Sequence, residues 1–125
     1  IAAIEAVERF LTDRPEYMRA MYILWYESIS SHNDLRSHLA EYHDTYRSDV
    51  RRWIEQGVAE GFIRPNIDPQ QYAVQFCSFI FGTIYQWLVA PDHVEIAPAF
   101  QYYRELALGQ LSERRKAPPP VANPD

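Results

Sequence analysis

Between residues 34 and 60 the chain sets an apolar side chain every three or four positions: Leu35, Leu39, Tyr42, Tyr46, Val50, Trp53 and Ile54. That spacing follows the turn of an α-helix and misses the two-residue alternation of a strand. A helix so long gains little from propensity alone and must bury its stripe against neighbours. The flanking sequence supplies those neighbours with the same period, and no strand-like alternation competes with it anywhere.

Ile4, Val7 and Leu11 mark a first helical segment over residues 1–11, broken by Asp13, Arg14 and Pro15. Pro15 suits the first turn of a second segment, residues 15–30, and Glu16 sits at its positive end. Met18, Met21, Tyr22, Trp25 and Ile29 form its stripe, widened by Tyr17, Leu24 and Tyr26. Polar residues 30–33 cap the long third segment, and Gly61 is placed to stop it. After a connection fixed by Pro65, Asp68 and Pro69 give a capping acceptor followed by a proline in the first helical position. The fourth segment, 69–89, has Tyr72, Phe76, Ile80, Ile84 and Trp87 on one face and Ala73, Cys77, Phe81, Tyr85 and Leu88 on the next. Gly82 between them costs about 1 kcal/mol of helix propensity, tolerable where another backbone comes close. Pro91 ends that helix and Pro98 suits the start of a fifth, 98–115, with Phe100, Tyr103, Leu106, Ala107 and Leu111. The expectation is an all-α, antiparallel bundle of about five helices over residues 1–116. Residues 117–125, with Pro118, Pro119, Pro120 and Pro124, are expected to form an extended or disordered tail.

A chain of 125 residues fits one domain with a real core. Nine tyrosines, six phenylalanines and three tryptophans exceed what one thin core needs, which points to a ligand cavity, a partner surface or both. The formal charge is −5, and Arg47, Arg51 and Arg52 alternate with Asp44, Asp49 and Glu55, so the segment itself is a poor nucleic-acid binder. The single cysteine, Cys77, excludes an internal disulfide and fits a reducing, cytoplasmic setting. No leader is visible, and the apolar run 76–90 is too short and too interrupted for a membrane span. Because the chain opens at Ile1 inside helical sequence, a further segment is expected upstream.

Catalytic and metal chemistry find little to stand on. His32, His38, His43 and His93 do not share a helical face at ligand spacing, and neither His-Glu-x-x-His nor Glu-x-x-His occurs. Cys77 lies among Phe76, Phe79 and Phe81 with no base beside it, and so reads as a buried structural thiol. Gly57, Gly61, Gly82 and Gly109 are scattered and form no phosphate loop. The expectation is a protein without catalytic residues, metal or cofactor.

Two features stand out. Met18, Met21, Tyr22 and Trp25 would face Tyr42, Tyr46 and Trp53 if the second and third segments pack antiparallel, either as a pocket for an apolar or aromatic ligand or as plain helix-helix core. Periodicity alone leaves both open. The apolar surface of the fourth and fifth segments around Gly82 is either core or a four-helix interface with a second copy.

The string WIEQGVAEGFIRPNIDPQQYAVQFCSFIFGTIYQWL, from Trp53 to Leu88, carries a family resemblance. A long helix closes on Gly57 and Gly61. Ile63, Arg64 and the Asp68-Pro69 turn follow, and the next helix has small Ala73 early and Gly82 near its middle. In this, and in helix order over residues 1–115, the chain resembles the C-terminal ligand-binding and dimerisation domain of TetR-family transcriptional regulators. The resemblance implies a homodimer whose interface draws on Phe81, Gly82, Tyr85, Phe100, Tyr103, Ala107 and Leu111. It implies an effector pocket lined by some of Met18, Met21, Tyr22, Trp25, Tyr42, Tyr46, Trp53, Phe76 and Ile80. It also implies that DNA is read only by an N-terminal helix-turn-helix domain outside this segment, as part of a repressor. The competing expectation is a helical interaction module that dimerises and holds no small molecule.

Overall fold

The computed structural model describes residues 2–30 and 34–112, and the expected proline-rich tail lies outside them. Among the described residues there are five α-helices: α1 (Ala2–Asp13), α2 (Pro15–Ser30), α3 (Asp34–Ala59), α4 (Pro69–Val89) and α5 (Ile96–Leu111). Each packs on the next, and α1 also packs on α5, which closes the bundle. Contacts pair early residues of one helix with late residues of its neighbour. Trp25 meets His43 across α2 and α3, while Phe79 meets Phe100 and Phe76 meets Tyr103 across α4 and α5. These are antiparallel pairings.

The helix ends follow from local chemistry. Asp68 caps α4 by accepting from the backbone N–H groups of Gln70 at 3.0 Å and Gln71 at 3.2 Å. At the end of α3 the N–H of Phe62 donates to the Gly57 carbonyl at 2.9 Å and that of Gly61 to the Val58 carbonyl at 3.1 Å. This double bond pattern is a Schellman closure. Gly61 holds φ at +81°, a left-handed value that a Cβ disfavours by about 1–2 kcal/mol. Gly61→Ala is therefore expected to lower stability by about that amount, seen as an earlier urea midpoint with unchanged slope. Gly57 answers a different need, since a Cβ there would come within 2.5 Å of Ile63 Cδ1. The returning chain lies against α3 at that point. It then ties to the end of α5 through a bridge between Ile63 and Ser112, where the Arg64 N–H donates to the Leu111 carbonyl at 3.0 Å.

Three helix limits differ from the sequence expectation, the first being the end of α5, which stops at Leu111 with Ser112 in extended conformation instead of running to 115. α1 continues through Asp13, so that only Arg14 separates it from α2. α5 begins at Ile96, with Pro98 inside its first turn, where a proline's missing N–H has no intrahelical acceptor to lose.

The core has two parts joined by α4. One gathers Ile4 and Leu11 of α1, Met18 and Tyr22 of α2, Ile80 and Ile84 of α4 and Phe100 of α5. The other gathers Val50 and Ile54 of α3 with Tyr72, Ala73 and Cys77 of α4. α4 is thus apolar on several faces because it is the helix that the others surround. Arg104 reaches Glu5 at 3.9 Å and adds an ionic contact between α5 and α1.

Candidate functional site

α2 and α3 diverge from their contact with α4 and leave a cleft of about 380 Å³. Tyr22, Trp25, Tyr26, Ser28 and Ile29 line it from α2, Arg36, Leu39, Ala40 and His43 from α3, and Phe81 from α4. The four α3 residues lie at steps of three and four, so one face of that helix forms a wall. The floor is a triangle of rings from three helices. Trp25 meets His43 edge-on at 4.8 Å and Phe81 at 5.3 Å, and His43 lies 5.2 Å from Phe81. Tyr22 packs on Trp25 at 4.9 Å, and its hydroxyl donates to the Phe81 carbonyl at 2.7 Å. That bond fixes α2 to α4 beneath the cleft. Burial, with a smaller contribution from Tyr26, pushes the Tyr22 phenol far above its ordinary value, so it remains a donor.

His43 is the polar group of the floor. Its Nε2 is shielded from solvent and has no hydrogen-bond partner among the described residues. Burial, and secondarily the nearby Arg47 charge, lowers its pKa, so the imidazole is held neutral. The linkage sign follows: as pH falls below the ordinary histidine value, the unfolded chain takes up a proton that the folded chain resists. Stability is expected to drop over that window, and His43→Gln to flatten the drop in urea titrations between pH 7 and 5.

Two smaller spaces lie further along α3, toward its C-terminal half. One of about 150 Å³ is bounded by Tyr46, Trp53, Phe76 and Ile80 together with Val7, Asp49, Val50 and Cys77. The other, about 180 Å³, lies between α3, α4 and α5, with Tyr103, Ala107 and Leu111 facing Trp53, Ile54 and Tyr72. There the Tyr103 and Tyr72 phenols interact, and burial raises both.

The single pocket expected from the sequence is therefore divided. Tyr22 and Trp25 belong to the large cleft, and Tyr46, Trp53, Phe76 and Ile80 line the smaller space. Met18 is buried in the core, Met21 packs against that core, and Tyr42 is 61 % exposed. These three line none of the three spaces described: α2 turns its methionines into the core with α1 and α4, and Tyr42 lies on the exposed side of α3. The expected interface residues also separate. Gly82 lies toward the outside of α4 and Tyr85 is half exposed with its ring 5.4 Å from that of Tyr26 on α2, whereas Phe81 faces α2 and α3, Phe100 is core, and Tyr103 stacks on Phe79 at 3.9 Å. Ala107 and Leu111 point toward α3. The inward face of α5 is needed to cover the protomer itself, so the outward stripe carries different residues. Tyr102 at 67 % exposure, Leu106 and Gly109 form that stripe on α5; Val74, Ser78, Gly82, Tyr85 and Val89 form one on α4. Sequence reasoning missed Phe81 and His43 as cleft residues. The signal available was the step from Arg36 through Leu39 and Ala40 to His43 on one helical face.

Among the described residues no group of three or more His, Cys, Asp or Glu is placed to hold a metal ion, and no helix is long and apolar enough to cross a membrane. Cys77 is buried, and burial pushes its thiol up.

The family profile described as tetracyclin repressor-like, C-terminal domain, matches residues 21–102. The chain belongs to this family. No curated protein and no solved structure matches it. As a TetR-type C-terminal domain, the chain is a regulatory module rather than a catalyst. The match covers the cleft from Tyr22 to Phe81, and it covers the outer stripe of α4 as well.

Proposed function

We propose that the chain is the effector-binding and dimerisation domain of a TetR-like transcriptional repressor, and that an apolar or aromatic small molecule in the α2–α3–α4 cleft modulates DNA binding. The observation that carries this reading is the cleft itself. About 380 Å³ falls within the range of small-molecule sites, and the walls are rings with a few polar groups, as such sites require. A solid core between α2 and α3 would have favoured an interaction module without a ligand; the space between them favours the sensor. DNA would be read by an N-terminal helix-turn-helix domain, two copies of which must sit about 34–36 Å apart to meet successive major grooves. An effector that prefers one arrangement of α2 and α3 around α4 would alter that spacing through α1, which packs on both α2 and α5.

The outer stripes of α4 and α5 suit the second part of the proposal. They are apolar or small and carry no charged residue, the pattern of an interface centre. Native mass spectrometry of the purified chain is expected to give a species of twice 14.7 kDa. A thermal-shift screen of aromatic compounds is expected to give hits that vanish in Ala40→Trp, where an exposed wall position of the cleft is filled. A monomer at micromolar concentration would overturn the assembly. An absence of hits from compounds of every charge would overturn the effector site.

A further inference from the structure

The geometry points to an aromatic monocarboxylate as the ligand of the α2–α3–α4 cleft, its carboxylate held by Arg36 and its apolar body by Trp25, Leu39, Ile29 and Phe81. The inference rests on the effector-site reading and specifies the chemistry of that site.

Charge decides between the ligand classes that a ring-lined cleft could take. Rings can hold a cation over their faces, but no Asp or Glu lines this cleft, and Arg36 is its one charged residue among those described. A cation would enter a positive field with no counter-charge, whereas an anion finds one.

Arg36 is also free to act. Arg47, Arg51 and Arg52 each pair with an acid on their own helix, with Asp44, Glu55 and Asp49 respectively. Helix partners lie three or four positions away, and those positions around Arg36 hold His32, Asn33, Leu39 and Ala40. Arg36 has no acid at either spacing, and it makes no ion pair among the described residues. A guanidinium left unpaired at the mouth of an apolar cleft offers a planar two-pronged donor that matches a carboxylate.

Dimensions limit the body. Arg36 and His43 are seven residues apart on one face of α3, which is about 10 Å along the axis. The ring floor closes the deep end, so a body of one or two rings fits between the guanidinium and the imidazole.

The test uses matched series that differ only in charge: 4-phenylbutyrate, 4-phenylbutyramide and 4-phenylbutylamine, and 2-naphthoate with its amide and its aminomethyl counterpart. Affinities are measured by titration calorimetry on the chain and on Arg36→Gln and Ala40→Trp. The acids are expected to bind at least tenfold tighter than the amides and amines. Arg36→Gln should remove that advantage, bringing the acids down to the affinity of the amides, and Ala40→Trp should remove binding of all. Amides or amines that match the acids, or acids indifferent to Arg36→Gln, would overturn the carboxylate assignment and leave the effector site standing. If no member of either series binds, the carboxylate assignment falls. Whether the effector site falls with it is read from the wider screen, in which hits of another class lost in Ala40→Trp would preserve it.

Discussion

Replacing Phe100 with alanine is expected to remove about 3–5 kcal/mol of stability, the range for deleting a fully buried aromatic side chain. The residue is 1 % exposed and shares its core with Ile4, Leu11, Ile80 and Ile84, so three helices lose contacts together. Its ring lies 5.7 Å from that of Phe79, and Phe79 in turn stacks on Tyr103 at 3.9 Å. The chain of rings holds α5 to α4. A domain with about 5–15 kcal/mol in total would keep little margin after such a loss. Thermal unfolding of Phe100→Ala should begin well below that of the parent chain, and Phe100→Leu should recover most of the difference because it restores much of the volume. A Phe100→Ala chain with unchanged unfolding would mean that α5 does not dock as described. An α5 that exposes Phe100 to a second copy instead would show a concentration-dependent loss in place of a uniform one.

The contrast between Phe100 and Gly82 shows where sequence reading succeeds and where it stops. Helix order was legible because the punctuation is chemical and local: Asp68 with Pro69 starts α4, and Gly61 closes α3. Neither depends on what lies across the fold. Facing is another matter. α4 carries apolar residues on several sides because it touches both parts of the core, so its stripe cannot say which side meets α2 and α3 and which is left outside. The pattern therefore groups Phe81 with the interface residues although it closes the cleft, and groups Phe100 and Tyr103 there although α5 turns them inward. His43 was hidden for a related reason. As one of four scattered histidines it fails every metal pattern, and its significance arises only when Trp25 and Phe81 arrive from other helices. Trp25 reaches the cleft because it lies toward the C-terminal end of α2, where that helix meets α3, while Met18, seven residues earlier on the same face, lies beside α1 and falls into the core.

Gly82 provides a prediction whose sign separates protomer from dimer. A Cβ added there would meet nothing within 4 Å, so the protomer imposes no steric need for glycine. Within a single chain Gly82→Ala should stabilise α4 by about 1 kcal/mol, since glycine is the poorer helix former. The same methyl would stand on the outer stripe between Val74, Ser78, Tyr85 and Val89, where a second copy's helix is proposed to cross. If backbones approach closely there, Gly82→Ala weakens association while raising protomer stability, and Leu106→Glu on the α5 stripe abolishes association by burying an unpaired charge. Sedimentation equilibrium is expected to show a dimer for the parent chain, a dissociation constant raised at least tenfold for Gly82→Ala, and a monomer for Leu106→Glu. Urea unfolding of that monomer should keep a cooperative transition, because Leu106 lies outside both core clusters. A Gly82→Ala chain that gains stability and dimerises as before would place the crossing elsewhere along α4. A Leu106→Glu chain that still dimerises would move the interface off α5 altogether, and with it the route by which an effector beside α2 could change the spacing of two DNA-reading domains.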